Sequence, residues 1–155
     1  MREAAAMNPF DLKTVILAKH AQHVALVHFP IALIFVSVLF DLLSLRKQSI
    51  ALLRAAYYTV IVAAISAVPT IATGILAWQL QFEGKGPKGN LKLHMILALS
   101  ASVMIWLVCW LHIKEQRRPG LNSPGLRRVI GIVAVALTML TGHLGGFVSG
   151  VNGPS

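Results

Sequence analysis

The stretch VALVHFPIALIFVSVLFDLLSL, residues 24–45, carries a single charged side chain, Asp41, in a run long enough to cross a lipid bilayer. At 1.5 Å per residue, about 20 apolar residues in a helix span the roughly 30 Å of membrane hydrocarbon. Three further runs of this kind lie at about 55–80, 92–113 and 128–150. Backbone in lipid must satisfy its N–H and C=O groups internally, and long apolar runs without a polar alternation do so as helices, not as barrel strands. The sequence therefore predicts an all-α integral membrane four-helix bundle, running up-down-up-down.

The segments between the runs fit this division. Arg46, Lys47, Gln48 and Ser49 make a tight turn, which sets the first two spans antiparallel. QFEGKGPKGN (81–90) and EQRRPGLNSPG (115–125) are rich in Gly, Pro and charge and read as loops. The expected organisation is an N-terminal periplasmic or interfacial segment at 1–22, with a short interfacial helix at 7–19, a four-span domain at 23–151 and a tail at 152–155. MREAAAMNPFDLKTVILAKH lacks the pattern of a signal peptide, so the first span is expected to direct insertion.

Composition agrees. Of 155 residues, 56% are apolar and 12% charged, more apolar surface than a water-soluble fold can cover. The formal charge of +9 would suggest nucleic acid on a soluble chain, but here the basic residues flank the apolar runs, as membrane topology requires, and nucleic acid is not an expected partner. Arg46, Lys47, Arg54, Lys114, Arg117, Arg118, Arg127 and Arg128 fall on one side; Arg2, Lys13, Lys19, Lys85, Lys88 and Lys92 fall on the other. This bias places both termini outside, in the periplasm of a bacterial inner (plasma) membrane protein. Trp106 and Trp110, and Trp78 at the opposite side, are expected in the interfacial belts. Cys109 has no partner for a disulfide and is expected to pack in the core or against lipid.

Because the helices alternate direction, five of the six histidines fall at one face: His20, His23 and His28 at the first span, His94 at the start of the third and His143 near the end of the fourth. His28 is expected about 6 to 8 Å below that boundary and His143 about 10 Å below it, with His94 shallower. Imidazoles within a membrane usually face the bundle interior and mark a site. Three of them on three helices at similar depth could ligate haem iron, zinc or copper. His20 is expected to be an exposed loop residue and His112, at the other face, a headgroup-level residue beside Lys114. In TGHLGGFVSG (141–150), Gly142, Gly145, Gly146 and Gly150 surround His143 and would admit a neighbouring helix or a flat macrocycle close to the backbone. Pro30 is tolerable near a helix start, whereas Pro69 should kink the second span.

No Ser, His and acid set and no phosphate-cradling loop is present, so hydrolysis is not indicated and no catalytic residue is assigned. Asp41 is expected to pair with Arg46 or Arg54.

HVALVHFPIAL (23–33) followed by Asp41, GILAW (74–78), His94 and GHLGG (142–146) resemble a widespread bacterial family of four-span membrane proteins of unknown function, over roughly residues 20–151. In that family the domain occurs alone or joined to c-type cytochrome or Rieske modules, which implies membrane electron transfer with haem b as cofactor. The family's histidine positions correspond to His23, His28, His94 and, in cytochrome-linked members, His143. No CxxCH or Rieske motif stands in this chain, so a c-type haem or iron-sulfur cluster would have to come from a partner.

The expected function is that of a haem b-binding subunit, one haem per chain, passing electrons between a periplasmic redox partner and quinone or another subunit. It would act within an oligomer or larger complex and not as a stand-alone enzyme. His28 with His94, on diagonal helices, is the first expected ligand pair, and His94 with His143 the second. The alternatives are a cofactor-free structural or anchoring subunit and a zinc or copper site built on His28, His94 and His143.

Overall fold

A computed structural model describes residues 21–82, 86–118 and 124–148. The expected helix at 7–19, the tail at 152–155, His20 and Gly150 lie outside the described residues. Four helices follow in order: α1 (Ala21–Lys47), α2 (Ile50–Phe82), α3 (Gly89–Arg117) and α4 (Pro124–Val148). All four are long and apolar enough to cross a membrane, and the described residues contain no strand. The four-span helical bundle expected from the sequence is the fold.

The helices overrun the apolar runs because hydropathy marks where lipid begins, not where a helix ends. α1 continues through Arg46 and Lys47, whose charges complement the partial negative charge at a helix C-terminus. It stops at Gln48, which takes the left-handed conformation (φ 46°) while Ser49 N–H reaches back to Ser44 O at 3.3 Å, the Schellman way of ending a helix. Ser49 then caps α2, its hydroxyl accepting from Leu52 N–H at 3.4 Å.

α1 packs mainly on α2 and α3 mainly on α4, with narrower seams between α2 and α3 and between α1 and α4, so α1 and α3 are diagonal. Ile34, Val38, Val60, Ala63, Ile105, Val108 and Ala134 form the core where the four meet, and Cys109 is buried among them as expected. Small residues let the backbones approach, since helices in lipid gain little from hydrophobic association and associate through close packing. A Cβ on Gly131 would stand 3.0 Å from Val38 Cγ2.

Polar side chains tie the helices where backbone groups need partners. Pro30 is not near the helix start as expected: α1 begins at Ala21, which puts Pro30 in the helix interior. A proline there removes the donor for the carbonyl four residues earlier. That carbonyl, Leu26 O, lies 3.3 Å from Thr70 Oγ1 of α2, a hydroxyl also 2.8 Å from Ser66 O. α2 runs past Pro69 as one helix, and Thr73 Oγ1 donates back to Pro69 O at 2.8 Å. Trp106 departs from the interfacial role expected of it: its indole N–H donates to Ala64 O at 2.9 Å within the bundle. Lying deeper than the headgroups, it needs a protein acceptor in place of water.

Candidate functional site

The bundle has two chemically distinct ends, one with histidines and one with a buried cluster of charge.

At the histidine end, His94 of α3 lies half-buried against α4, with Nδ1 3.0 Å from Thr141 O. A carbonyl only accepts, so Nδ1 carries the hydrogen and Nε2 holds the coordinating lone pair of the neutral ring. Gly145 makes the contact feasible, since a Cβ there would be 3.2 Å from His94 Cε1. His28 is set in the same tautomer by a bond of 2.6 Å from Nδ1 to Val24 O, one turn earlier in α1, and its ring is exposed on the bundle surface. Such a bond to the second nitrogen orients metal-ligating imidazoles generally. His23 sits against α2, with Nδ1 3.2 Å from Thr73 Oγ1 and its ring over Gly74, where a Cβ would be 2.9 Å from Cε1. His143 is exposed on α4, edge-on to Phe147 at 5.1 Å.

The histidines thus share an end of the bundle without converging on one point. His94 and His23 are seated in helix seams by glycines, and His28 and His143 stand on the surface. Among the described residues no three His, Cys, Asp or Glu side chains gather closely enough to hold a metal ion.

One groove adjoins this end. α1 and α4 touch tightly at Val38 and Gly131 and then part, leaving an apolar groove of about 300 Å³ bordered by Ile31, Ala32 and Phe35 of α1 and Val135, Thr138 and Met139 of α4. His28 belongs to the helical stripe of Ile31, Ala32 and Phe35, while Gly142 and His143 continue the stripe of Val135, Thr138 and Met139. The antiparallel register that sets Val38 on Gly131 brings His28 level with Thr141 and Gly142. At Gly142 the space is open, and a Cβ there would meet no other atom within 4 Å. Gly145 admits the neighbouring helix α3 through the His94 imidazole, one of the two roles expected of it. Gly146 is half-buried on the same helix.

The opposite end holds the feature that sequence reasoning misread. Asp41 does not pair with Arg46 or Arg54. Its carboxylate accepts two hydrogen bonds from Arg127 of α4, from Nη2 to Oδ1 at 2.7 Å and from Nε to Oδ2 at 2.9 Å. Arg127 also pairs with Glu115 of α3, and Arg128 Nε lies 3.5 Å from Asp41 Oδ1. His112 does not stand on the surface beside Lys114 but faces the bundle interior, 2% exposed, with Nε2 3.8 Å from Asp41 Oδ2 and its ring 6.4 Å from that of Tyr57. Lys114 instead stands over the Trp110 ring at 4.9 Å. Burying Asp41 and Arg127 demands this arrangement, because an unpaired charge away from water is far costlier than a doubly hydrogen-bonded pair. The signal available in the sequence was depth: Asp41, His112 and Arg127 each lie a few residues inside a helix end on the same side of the membrane.

Residues 19–153 match the family model described as predicted membrane protein (DUF2231). No curated protein and no solved structure matches the chain.

Proposed function

Given that the chain belongs to the DUF2231 family of predicted membrane proteins, we propose that it is a membrane electron-transfer subunit that binds haem b at the histidine end of the bundle. The observation that carries this reading is the apolar groove between α1 and α4, beyond the contact of Val38 with Gly131, with His28 and His143 exposed on the same helices a turn or so past its lining residues. Its lining is apolar, as a macrocycle requires, and at about 300 Å³ it would seat part of the ring, the rest standing in lipid.

His28 would hold the haem iron through Nε2, since Val24 O engages its Nδ1–H. His143, beside the side-chain-free Gly142, would hold it from α4. His94 of α3, with Nδ1 on Thr141 O, one residue from Gly142, would fix the position of the α4 backbone there. Ile31, Phe35 and Met139 exclude water from the groove. Haem b, when bound, supplies one-electron transfer at a potential set by its axial ligands and burial. Electrons would pass between a redox partner docked at this end, a c-type cytochrome or Rieske protein, and quinone or a further subunit. The Lys and Arg distribution supports placing this end at the periplasmic face of a bacterial inner membrane.

A reduced minus oxidised visible spectrum of the detergent-purified chain, with a pyridine haemochrome assay, tests the reading. A b-type α band at about one haem per chain is expected, with one site on the groove. A colourless protein from cells with ample haem would overturn it.

A second reading is favoured by the exposure of α4, of whose span only 17% is buried within the chain. An apolar helix this bare suits a neighbouring transmembrane subunit, so a cofactor-free anchoring role is the alternative. A zinc or copper site would require the dispersed histidines to be completed by a partner.

A further inference from the structure

The charged end of the bundle carries a surface of one sign. Asp41 and Glu115 are the acidic residues among those described, and Arg127 engages both inside the bundle. Arg46, Lys47 and Arg54 surround the turn between α1 and α2, and Lys114, Arg117 and Arg118 close α3; none of these six has an acidic partner among the described residues. Five of them are exposed, and Lys114 is half-exposed. Arg127 pairs with both described carboxylates, buried Asp41 and half-buried Glu115, and leaves the other cations of this end outside.

Depth fixes what these cations face. Eighteen residues of α1 separate His28 from Arg46, about 27 Å along the axis and close to the thickness of membrane hydrocarbon. With His28 near one boundary, Arg46 therefore stands at the other, among headgroups. Trp110, 52% exposed and one turn from Lys114, marks the same level on α3, where indole rings settle at the edge of the hydrocarbon.

The geometry points to this end as a seat for anionic phospholipid headgroups, their phosphates held by Arg46, Lys47 and Arg54 at one corner and by Lys114, Arg117 and Arg118 at the other. Gln48 contributes by its left-handed turn, which sets Arg46 and Lys47 at the end of α1 beside the start of α2, whose second turn carries Arg54. Guanidinium and ammonium groups at headgroup depth attract anionic lipid with a strength that adds over the cations and decays with ionic strength. Headgroup binding at this end is independent of haem at the other.

The test is the unfolding temperature of the full chain in neutral detergent, with added phosphatidylglycerol or phosphatidylcholine of the same acyl chains. Phosphatidylglycerol is expected to raise it by several degrees at low salt and phosphatidylcholine to leave it almost unchanged, because ligand bound only by the folded state stabilises that state. The rise should vanish at about 0.5 M NaCl, where the screening length falls to a few ångströms. It should fall by more than half in the variant R46Q/K47Q/R54Q/K114Q/R117Q/R118Q. Equal rises with both lipids would mean that the acyl chains alone act and would overturn the proposal, as would a rise reproduced by inorganic phosphate, which would indicate a soluble-anion site. Should the variant fail to fold, the lipid comparison and salt titration on the unmodified chain decide the matter.

Discussion

Arg127 of α4 grips Asp41 of α1 through two near-parallel hydrogen bonds, 2.7 and 2.9 Å long, with both residues no more than 4% exposed. It is the strongest polar tie across the narrow α1–α4 seam, and it also engages α3 through Glu115.

Removing one partner leaves the other only its secondary contact, Arg128 for Asp41 and Glu115 for Arg127. Asp41→Asn and Arg127→Gln are each expected to cost up to about 3–5 kcal/mol, since a buried charge loses its doubly hydrogen-bonded partner. Joint replacement by apolar residues of similar volume, Asp41→Leu with Arg127→Met, should recover most of that loss. Unfolding of the purified variants in detergent checks both expectations, and a double variant no better than the singles would argue against the pair as the source of the effect.

Haem content separates the histidines. His28→Ala and His143→Ala are expected to lose the b-type spectrum while retaining the fold, and His112→Ala to keep it. His94→Ala should shift or broaden the spectrum without abolishing it, because under the proposed assignment that ring holds Thr141 O and does not ligate haem. Full loss in His94→Ala with retention in His143→Ala would reassign the second ligand to His94.

Gly142 and Gly74 should respond oppositely to a methyl group. Gly142→Ala projects into open space and, alanine being the better helix former, is expected to be neutral or slightly stabilising, whereas Gly142→Leu, beside His143, should lower haem occupancy. Gly74→Ala places a Cβ 2.9 Å from His23 Cε1 and must displace the ring from Thr73, at a cost of about 1–3 kcal/mol. Thermal unfolding together with haem absorbance on the same samples distinguishes the two.

Gln48 occupies a backbone conformation that costs an L-residue roughly 1 kcal/mol relative to glycine. Gln48→Gly is expected to raise stability by up to about 1 kcal/mol, readable as a higher unfolding temperature. No gain would mean that the turn relaxes in another way.

The four spans were legible because hydropathy sums over some 20 residues and no single substitution overturns it. The rotation of each helix about its axis was not. Lipid is as apolar as the interior, so the inward and outward faces of α1 to α4 carry the same side chains, and Phe35 and Val62 on the outside read like Ile34 and Val60 within. The polar residues alone break this degeneracy. Ser37, Asp41, Ser44, His112, Arg127 and Thr138 are all buried and together trace the inner faces. His112 was assigned to the surface because its neighbour Lys114 lies there, although two positions along a helix turn a side chain to the far side. The shared end of His23, His28, His94 and His143 followed from helix alternation. Their seating by Gly74 and Gly145 depends on distances between helices far apart in sequence.

The unequal seams of the bundle bear on how the chain is put together in the membrane. α1 and α2 bury their main faces on each other, and so do α3 and α4, which makes the molecule a pair of helical hairpins that can insert as units and associate afterwards. The two hairpins are joined between Phe82 and Gly89. Co-expressed halves cut there are expected to reassociate, with Asp41 and Arg127 meeting as the last lock of assembly.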